Sequence, residues 1–462
     1  MAKMSVGPVI GKVDHNSARV LLEVDEHVQV KCLATPLKGK RVQQTKPFHK
    51  DRPGTFHLKG LQADTPYELR FEGLTAERPG RFKTFPRRPT RLNVGAVSCN
   101  FTVKRADTDL WADLRDRYVR PGDLDLLLHL GDQIYGDGAF YEAQHVLNGK
   151  TPGNRQQEEQ ILNLYRGLYR WAWNDPATQE VLSQVPNLMI WDDHEIRDDW
   201  GSLQSDKNPA SVEHYIGGLA RRVFREYQRQ LWDDDVSGAS GLEHHMHLWG
   251  PVGVLFLDVR GGRSFHTDPL RPYLGTPQWS DISEALRGRK GMFSAASVRT
   301  LLVVSPVPLA FLSSEISGVG SHVMDDLMDH WSYGAHRKEQ LEMIRLLRYW
   351  KEAGEGKREL LVLGGDVHIG GHTEIKHQGK TIFRQLIASP ITNRPPSWYQ
   401  FAGVRTLMEA HQRLGERYSF EHSNFTNRRN YGVIVARIPD KGTPTLTGSL
   451  DEAVSPSRSA PN

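Results

Sequence analysis

Leu124-Asp125-Leu126-Leu127-Leu128-His129-Leu130-Gly131-Asp132-Gln133-Ile134-Tyr135 is the stretch whose reading decides the fold. A short apolar run bounded by Gly reads as a strand, and its abrupt end in Asp132 and Tyr135 sets oxygen donors where the strand gives way to a loop. Open α/β sheets keep their active sites at that carboxyl edge. One Asp after a strand serves equally well as a turn residue or helix cap, so the weight falls on repetition. Leu92 to Val97 ends in Ser98-Cys99-Asn100, and Leu188-Met189-Ile190-Trp191 ends in Asp192-Asp193-His194-Glu195. Val252 to Leu257 runs into Asp258-Val259-Arg260, Leu301 to Val304 into Ser305-Pro306, and Glu359 to Leu363 into Gly364-Gly365-Asp366-Val367-His368. Helical spacing over Asp107 to Tyr118, residues 140 to 185, Ala220 to Trp232 and Gly334 to Trp350 separates these runs, and Tyr431 to Arg437 is a late strand. Strands alternating with helices predict an α/β domain with a parallel sheet.

Upstream, residues 1 to 86 carry short strands at Ala18–Val24, Val28–Leu33, Thr55–Leu58, Tyr67–Phe71 and Arg81–Phe85, the spacing of a small all-β sandwich. The segment Leu58 to Leu69 resembles the corner of fibronectin III/Ig-like domains, which makes Tyr67 structural, its hydroxyl bonding back to the preceding loop. Pro86-Arg87-Arg88-Pro89-Thr90-Arg91 continues neither strand nor helix, because each proline lacks an N–H and restricts its predecessor. The expected division is a sandwich over 1–86, a linker over 87–91, an α/β domain over 92–440, and a loose tail over 441–462 rich in Pro, Ser, Thr and Gly.

Lys+Arg 59 against Asp+Glu 55 leaves a net charge of +4 on 462 residues, without the dense basic stripe of a specific nucleic-acid binder. No apolar run approaches the roughly 18 residues of a membrane span. The N-terminus lacks a charged-then-apolar leader, and the two cysteines, Cys32 and Cys99, fall in different predicted domains, so the expected location is intracellular and cytoplasmic, with both thiols free. Glu243-His244-His245-Met246-His247 reads as a strand face rather than a metal site, and no Gly-x-Ser-x-Gly nucleophile elbow occurs.

Taken together, strand ends carrying Cys99, Asp132 with Tyr135, Asp193 with His194, Asp258 with Arg260, and Asp366 with His368 suggest a metal cluster. Carboxylate, imidazole, phenolate and thiolate together suit a Lewis-acidic transition metal beside a hard, oxygen-liganded ion. Two ions about 3.5–4 Å apart activate water and clamp the attacking and leaving oxygens of a phosphoryl displacement. His129, inside the strand, is read as a packed or hydrogen-bonded core residue.

The motifs Gly131-Asp132-Gln133-Ile134-Tyr135, Trp191-Asp192-Asp193-His194-Glu195, Leu257-Asp258-Val259-Arg260 and Gly365-Asp366-Val367-His368 resemble, in this order, the alkaline phosphatase D (PhoD-like) branch of the calcineurin-like metallophosphatases. The resemblance implies a four-layer αββα domain behind the sandwich and hydrolysis of phosphomonoesters or diesters with Fe3+ and Ca2+. It assigns Cys99, Asp132, Tyr135 and His368 to iron, with Asp132 bridging both ions; it sets Asp193 at the position of a bridging Asn in related enzymes, with Asp366 completing the calcium side. Cys99 also has a reading as a small buried strand-end residue. His194 matches the histidine that contacts phosphate and protonates the leaving oxygen. Arg260 is either a phosphate contact, its guanidinium engaging two oxygens, or a structural partner of Asp258. The twin-arginine signal of secreted members is absent, and Asp198-Asp199 precedes Trp200 where the family pattern often has Asn before Trp. The alternative to an enzyme is an inactive metallophosphatase-fold scaffold that recruits a partner through its sandwich.

Overall fold

The computed structural model of the chain describes residues 2–75, 78–101, 110–237, 241–263, 272–312, 330–397, 401–402, 405, 412–415 and 417–453. The first seven strands are β1 (Met4–Val13), β2 (Ser17–Val24), β3 (Val28–Pro36), β4 (Val42–Phe48), β5 (Gly54–Lys59), β6 (Pro66–Glu72) and β7 (Gly80–Lys83). They make two antiparallel sheets, β1-β2-β5 and β4-β3-β6-β7, that meet across Phe48, Phe56 and Phe71. Tyr67 is buried and its hydroxyl accepts the Gln62 amide at 2.8 Å, the corner bond expected from the sequence. Sequence reading passed over β4, an edge strand that buries only Phe48 and contains Pro47, which suits an edge because it donates nothing to a ladder.

The remaining strands are β8 (Arg91–Val97), β9 (Leu126–His129), β10 (Asn187–Met189), β11 (His245–Trp249), β12 (Val252–Phe256), β13 (Thr300–Ser305), β14 (Glu359–Gly364), β15 (Gly370–His377), β16 (Lys380–Ile387), β17 (Gln412–Arg413), β18 (Tyr418–Thr426), β19 (Asn430–Arg437) and β20 (Thr445–Glu452). The helices are α1 (Leu110–Leu114), α2 (Asp137–Leu147), α3 (Arg155–Trp173), α4 (Pro176–Leu182), α5 (Gln204–Lys207), α6 (Val212–Tyr227), α7 (Thr276–Arg287) and α8 (Arg337–Glu352). One sheet runs β10-β9-β8-β19-β20, the other β11-β12-β13-β14-β16-β15-β18-β17.

Period-two alternation on the central strands builds the layers. Val94, Ala96, Leu126 and Leu128 face Leu302, Val304, Leu361 and Leu363 across the space between the sheets. The alternate residues Val97 and Leu127 turn outward onto α1 and α4, and Leu301, Val303, Leu360 and Val362 turn onto α7 and α8. The result is the four-layer αββα arrangement, with each fully buried aliphatic side chain contributing about 1.5–3 kcal/mol.

The expected boundary at 87–91 lies between β7 and β8, yet the apolar core runs unbroken across it. Trp249 Nε1 donates to the Val13 carbonyl at 2.8 Å, Asn187 Nδ2 to the Ile10 carbonyl at 3.0 Å, and Arg170 to buried Glu23 at 2.5 Å. Two further expectations need correction. The tail is not loose from residue 441: β20 pairs with β19 over Thr445–Glu452, because an edge strand needs only one apolar face and its backbone ladder supplies the rest. Residues 140 to 185 are not one helix. The chain restarts at Asn154, whose side chain closes a capping box with Gln157, and again at Asp175, which caps the helix that begins at Pro176. The expected helix start at Asp107 lies outside the described residues. Among the described residues no helix is long and apolar enough to cross a membrane.

Candidate metal centre

β8, β9 and β10 are parallel to one another, as are β12, β13, β14 and β16, so seven strand ends point toward one edge of the two sheets. Val97, His129 and Met189 are in register across the first set, so the loops that follow leave at the same level. These loops approach closely: a Cβ on Gly131, at φ +113°, would sit 2.7 Å from Asp192 Cβ. Cys99, Asp132, Asp199, Asp366 and His368 all occupy the left-handed region, with φ between 53° and 64°. Such conformations are costly for residues with a Cβ and concentrate at functional sites.

The predicted iron-side residues meet. Cys99 Sγ lies 3.5 Å from Asp132 Oδ2, and the Tyr135 hydroxyl is 3.4 Å from the same oxygen and 3.4 Å from His368 Nε2. Asn393 Nδ2 donates to the Tyr135 hydroxyl at 2.7 Å and lies 3.1 Å from His368 Nε2, while Ser389 Oγ is 3.2 Å from Cys99 Sγ and accepts the His368 amide at 3.0 Å. Two groups of potential ligands each gather within 4.8 Å: Asp132, Asp193 and His194, and then Asp192, Asp193 and Asp366. Asp193 belongs to both. Asp132 Oδ1 and Asp192 Oδ2 are buried without any hydrogen-bond partner, the situation that a cation would relieve.

The electrostatics agree with that fit. Burial pushes the Asp132 carboxyl well up, and Asp193 and Asp192 add to the rise against the opposing effect of His194. Burial and then Asp132 likewise raise the Cys99 thiol, and burial and then Cys99 raise the Tyr135 phenol. Asp366 is held down to about 2, because His330, Arg260 and His368 together outweigh the opposing effect of burial. Burial lowers His194, but Asp193, Asp137 and Asp132 overcome it and keep the imidazole protonated well above its ordinary range. Its Nδ1 is 3.0 Å from Asp137 Oδ2, and its ring packs on Tyr135 with centroids 4.1 Å apart. A pocket of acids whose protons are held by crowding and desolvation is one that a multivalent cation would deprotonate.

Arg260 lies against the acids of the centre. Its side chain is fully buried; Nε donates to Asp192 Oδ1 and Nη2 lies 3.3 Å from Asp193 Oδ1. Asp258 does not join the ligand groups either: it accepts the Arg260 and Gly261 amides at 3.0 and 2.8 Å and the Trp191 indole at 2.8 Å, shaping the loop that delivers Arg260. His129 is the core histidine expected, with Nδ1 2.5 Å from Gln133 Oε1 and Nε2 2.9 Å from Asn187 Oδ1. His245 and His247 are buried on one strand face, 2.7 Å apart, and stack among Trp232, Phe256 and Trp249.

Sequence reasoning missed four contributors. Asp192 sits beside Asp193 in its motif with nothing in the sequence to set it apart. Glu195 accepts the Asp132, Gln133 and Asp192 amides at 3.1, 2.8 and 2.7 Å, so one buried carboxylate binds two strand-end loops together. His330 Nε2 lies 3.3 Å from Asp366 Oδ2, and Asn393 reaches Tyr135 from beyond β16. The position of Glu195, beside three acidic or basic motif residues, was its only signal; His330 and Asn393 follow no strand directly and had none.

The family model described as PhoD-like phosphatase matches residues 94–443. A solved structure titled "Structure of PhoD" superposes with a TM-score of 0.66 at 14% identity, covering 98% of this chain and 92% of that one. An uncharacterized protein of Saccharomyces cerevisiae, YGR266W, is 25% identical over 355 residues, 60% of this chain, and the matched part spans about half (50%) of that relative's length.

Proposed function

The chain belongs to the PhoD-like phosphatase family, and from that premise we propose that it hydrolyses phosphate esters at the common edge of its two sheets. The sharing of Asp193 between two ligand groups carries this reading, since it is the arrangement two neighbouring ions need. In this reading Cys99, Asp132, Tyr135 and His368 would hold Fe3+, Asp192 and Asp366 would hold Ca2+, and Asp193, which belongs to both ligand groups, and Asp132, whose Oδ1 has no hydrogen-bond partner, would serve the two sites together. When bound, the pair supplies Lewis acidity and an ionised water at neutral pH.

The chain's own groups do the rest. Asp137 fixes His194 through Nδ1, leaving Nε2 to give its proton to the leaving oxygen as the ester P–O bond breaks and the water oxygen bonds to phosphorus. The imidazole regains a proton from the attacking water through solvent. Arg260 acts from behind, holding Asp192 and Asp193 in place with charge-assisted hydrogen bonds rather than touching phosphate. The strands of residues 1–86 are read as a fibronectin III-like unit that braces this domain through Glu23 and Val13. The test is release of 4-nitrophenol from 4-nitrophenyl phosphate and bis(4-nitrophenyl) phosphate. Asp132→Asn and Asp366→Asn should each lower turnover by at least about 100-fold while the fold, followed by circular dichroism, stays intact. Wild-type turnover in either variant would refute the assignment, and fewer than one bound metal per chain would favour a scaffold.

A further inference from the structure

Resting on the iron assignment just given, we propose that Asn393 is a positioning residue whose hydrogen bond to the Tyr135 oxygen sets how firmly that oxygen holds the ferric ion and how much charge it donates to it. Asn393 touches three of the four iron-side residues. Its side-chain Nδ2 donates to the Tyr135 oxygen at 2.7 Å and lies 3.1 Å from His368 Nε2, and its backbone amide donates to the Cys99 carbonyl at 3.1 Å. The orientation of the side-chain amide is fixed, because Oδ1 accepts the Arg394 backbone amide at 2.7 Å and leaves the NH2 end for Tyr135 and His368.

The segment that carries Asn393 is held along its length. Ser98 Oγ donates to the Ala388 carbonyl at 2.9 Å, the Ile391 amide to the Ser98 carbonyl at 3.0 Å, and Thr392 Oγ1 to Asn100 Oδ1 at 3.2 Å, so residues 388 to 393 run beside the loop that delivers Cys99. Asn430 accepts the Ser389 amide at 3.0 Å and donates to its carbonyl at 2.6 Å, and Arg429 Nε donates to the Asn393 carbonyl at 3.1 Å. None of these bonds uses the Asn393 side chain, so its removal takes a donor from the Tyr135 oxygen and leaves the segment tied down. A partner that hydrogen-bonds a metal ligand from outside fixes the ligand's orientation and tunes it, and its loss costs about 10- to 100-fold in metal affinity. The tuning has a definite sign here. An N–H bonds an ionised oxygen more strongly than a neutral one, so it stabilises electron density on the phenolate and raises the energy needed to move charge from that oxygen to ferric iron.

The experiment loads the metal-stripped chain with Fe3+ alone and follows its visible absorption and its retention of iron against a chelator. Wild type should show a phenolate-to-iron charge-transfer band that is missing in Tyr135→Phe. Asn393→Leu, of similar volume but without a donor, should move that band to longer wavelength and hold iron roughly 10- to 100-fold more weakly. Asn393→Ala should move it in the same direction by less, because water can enter and donate in place of the amide. The band position decides. A band at the wild-type wavelength or a shorter one in Asn393→Leu, or in Asn393→Ala should the first not fold, would overturn the proposal even with iron lost more readily, since a loosened loop weakens binding without changing the phenolate. Iron-loaded wild type without a Tyr135-dependent band would instead overturn the iron assignment and this proposal with it.

Discussion

Replacing Gly131 by Ala should damage the centre through geometry alone, with no ligand removed. The new Cβ would lie 2.7 Å from Asp192 Cβ, more than 0.5 Å inside ordinary carbon contact, and Gly131 sits at φ +113°, where L residues are strained. The backbone penalty is about 1–3 kcal/mol. Relief of the overlap pushes the Asp132 and Asp192 loops apart by several tenths of an ångström or more, and overpacking of this kind adds about 1–3 kcal/mol. The sum predicts a stability loss of roughly 2–6 kcal/mol in urea unfolding and, because displacement near 1 Å can cost about 100-fold in rate, a loss of that order in ester hydrolysis. Gly379→Ala is the control: its φ is +76° and a Cβ there meets nothing within 4 Å, so it bears the backbone penalty without the collision. Gly379→Ala should lose at most a modest part of its stability and keep its activity. Equal activity losses in the two variants, or full activity in folded Gly131→Ala, would refute the claim that close approach of these loops sets the centre.

Acid should destabilise the fold through buried histidines. Burial lowers both His129 and His422 to about 4, below the ordinary value of 6.5, so between those values the unfolded chain binds more protons and stability falls as pH drops through that window. Each contributes up to about 3 kcal/mol, readable as a shift in urea midpoint between pH 7 and pH 4, and an unchanged midpoint would contradict it. Cation uptake by chelator-stripped protein at pH 7 should release protons, because burial and then Asp132 hold the Cys99 thiol protonated while a bound cation takes the thiolate. Calorimetry in buffers of different ionisation enthalpy should show at least about one proton released per chain, and fewer in Cys99→Ser.

The sequence made the strand ends legible because five of the six apolar runs, all but Leu301–Val304, stop within three residues of an acid, a histidine or Cys99, and parallel strands bring such stops to one edge. It left Arg260 undecided for a physical reason: a guanidinium four residues after the end of β12 can point outward to phosphate or back under the sheet, and the loop shaped by Asp258 turns it toward Asp192 and Asp193. Arg221 and Arg225 on α6, with Arg229 just beyond the helix, converge on buried Glu243. Glu243 lies 14 to 22 positions away in the chain, so no local pattern announces the pairing. β4 and β20 were hidden because edge strands are specified by backbone pairing more than by apolar alternation.

Stepwise reloading of metal-stripped protein, with bound metal and hydrolysis of 4-nitrophenyl phosphate and its diester followed on the same samples, tests the central claim most directly. The account predicts that hydrolysis is absent without metal and rises to its plateau as occupancy approaches two ions per chain, with Asp193→Asn failing to reach that occupancy. Full hydrolysis at less than one ion per chain, or two tightly bound ions with no hydrolysis of either ester, would contradict it.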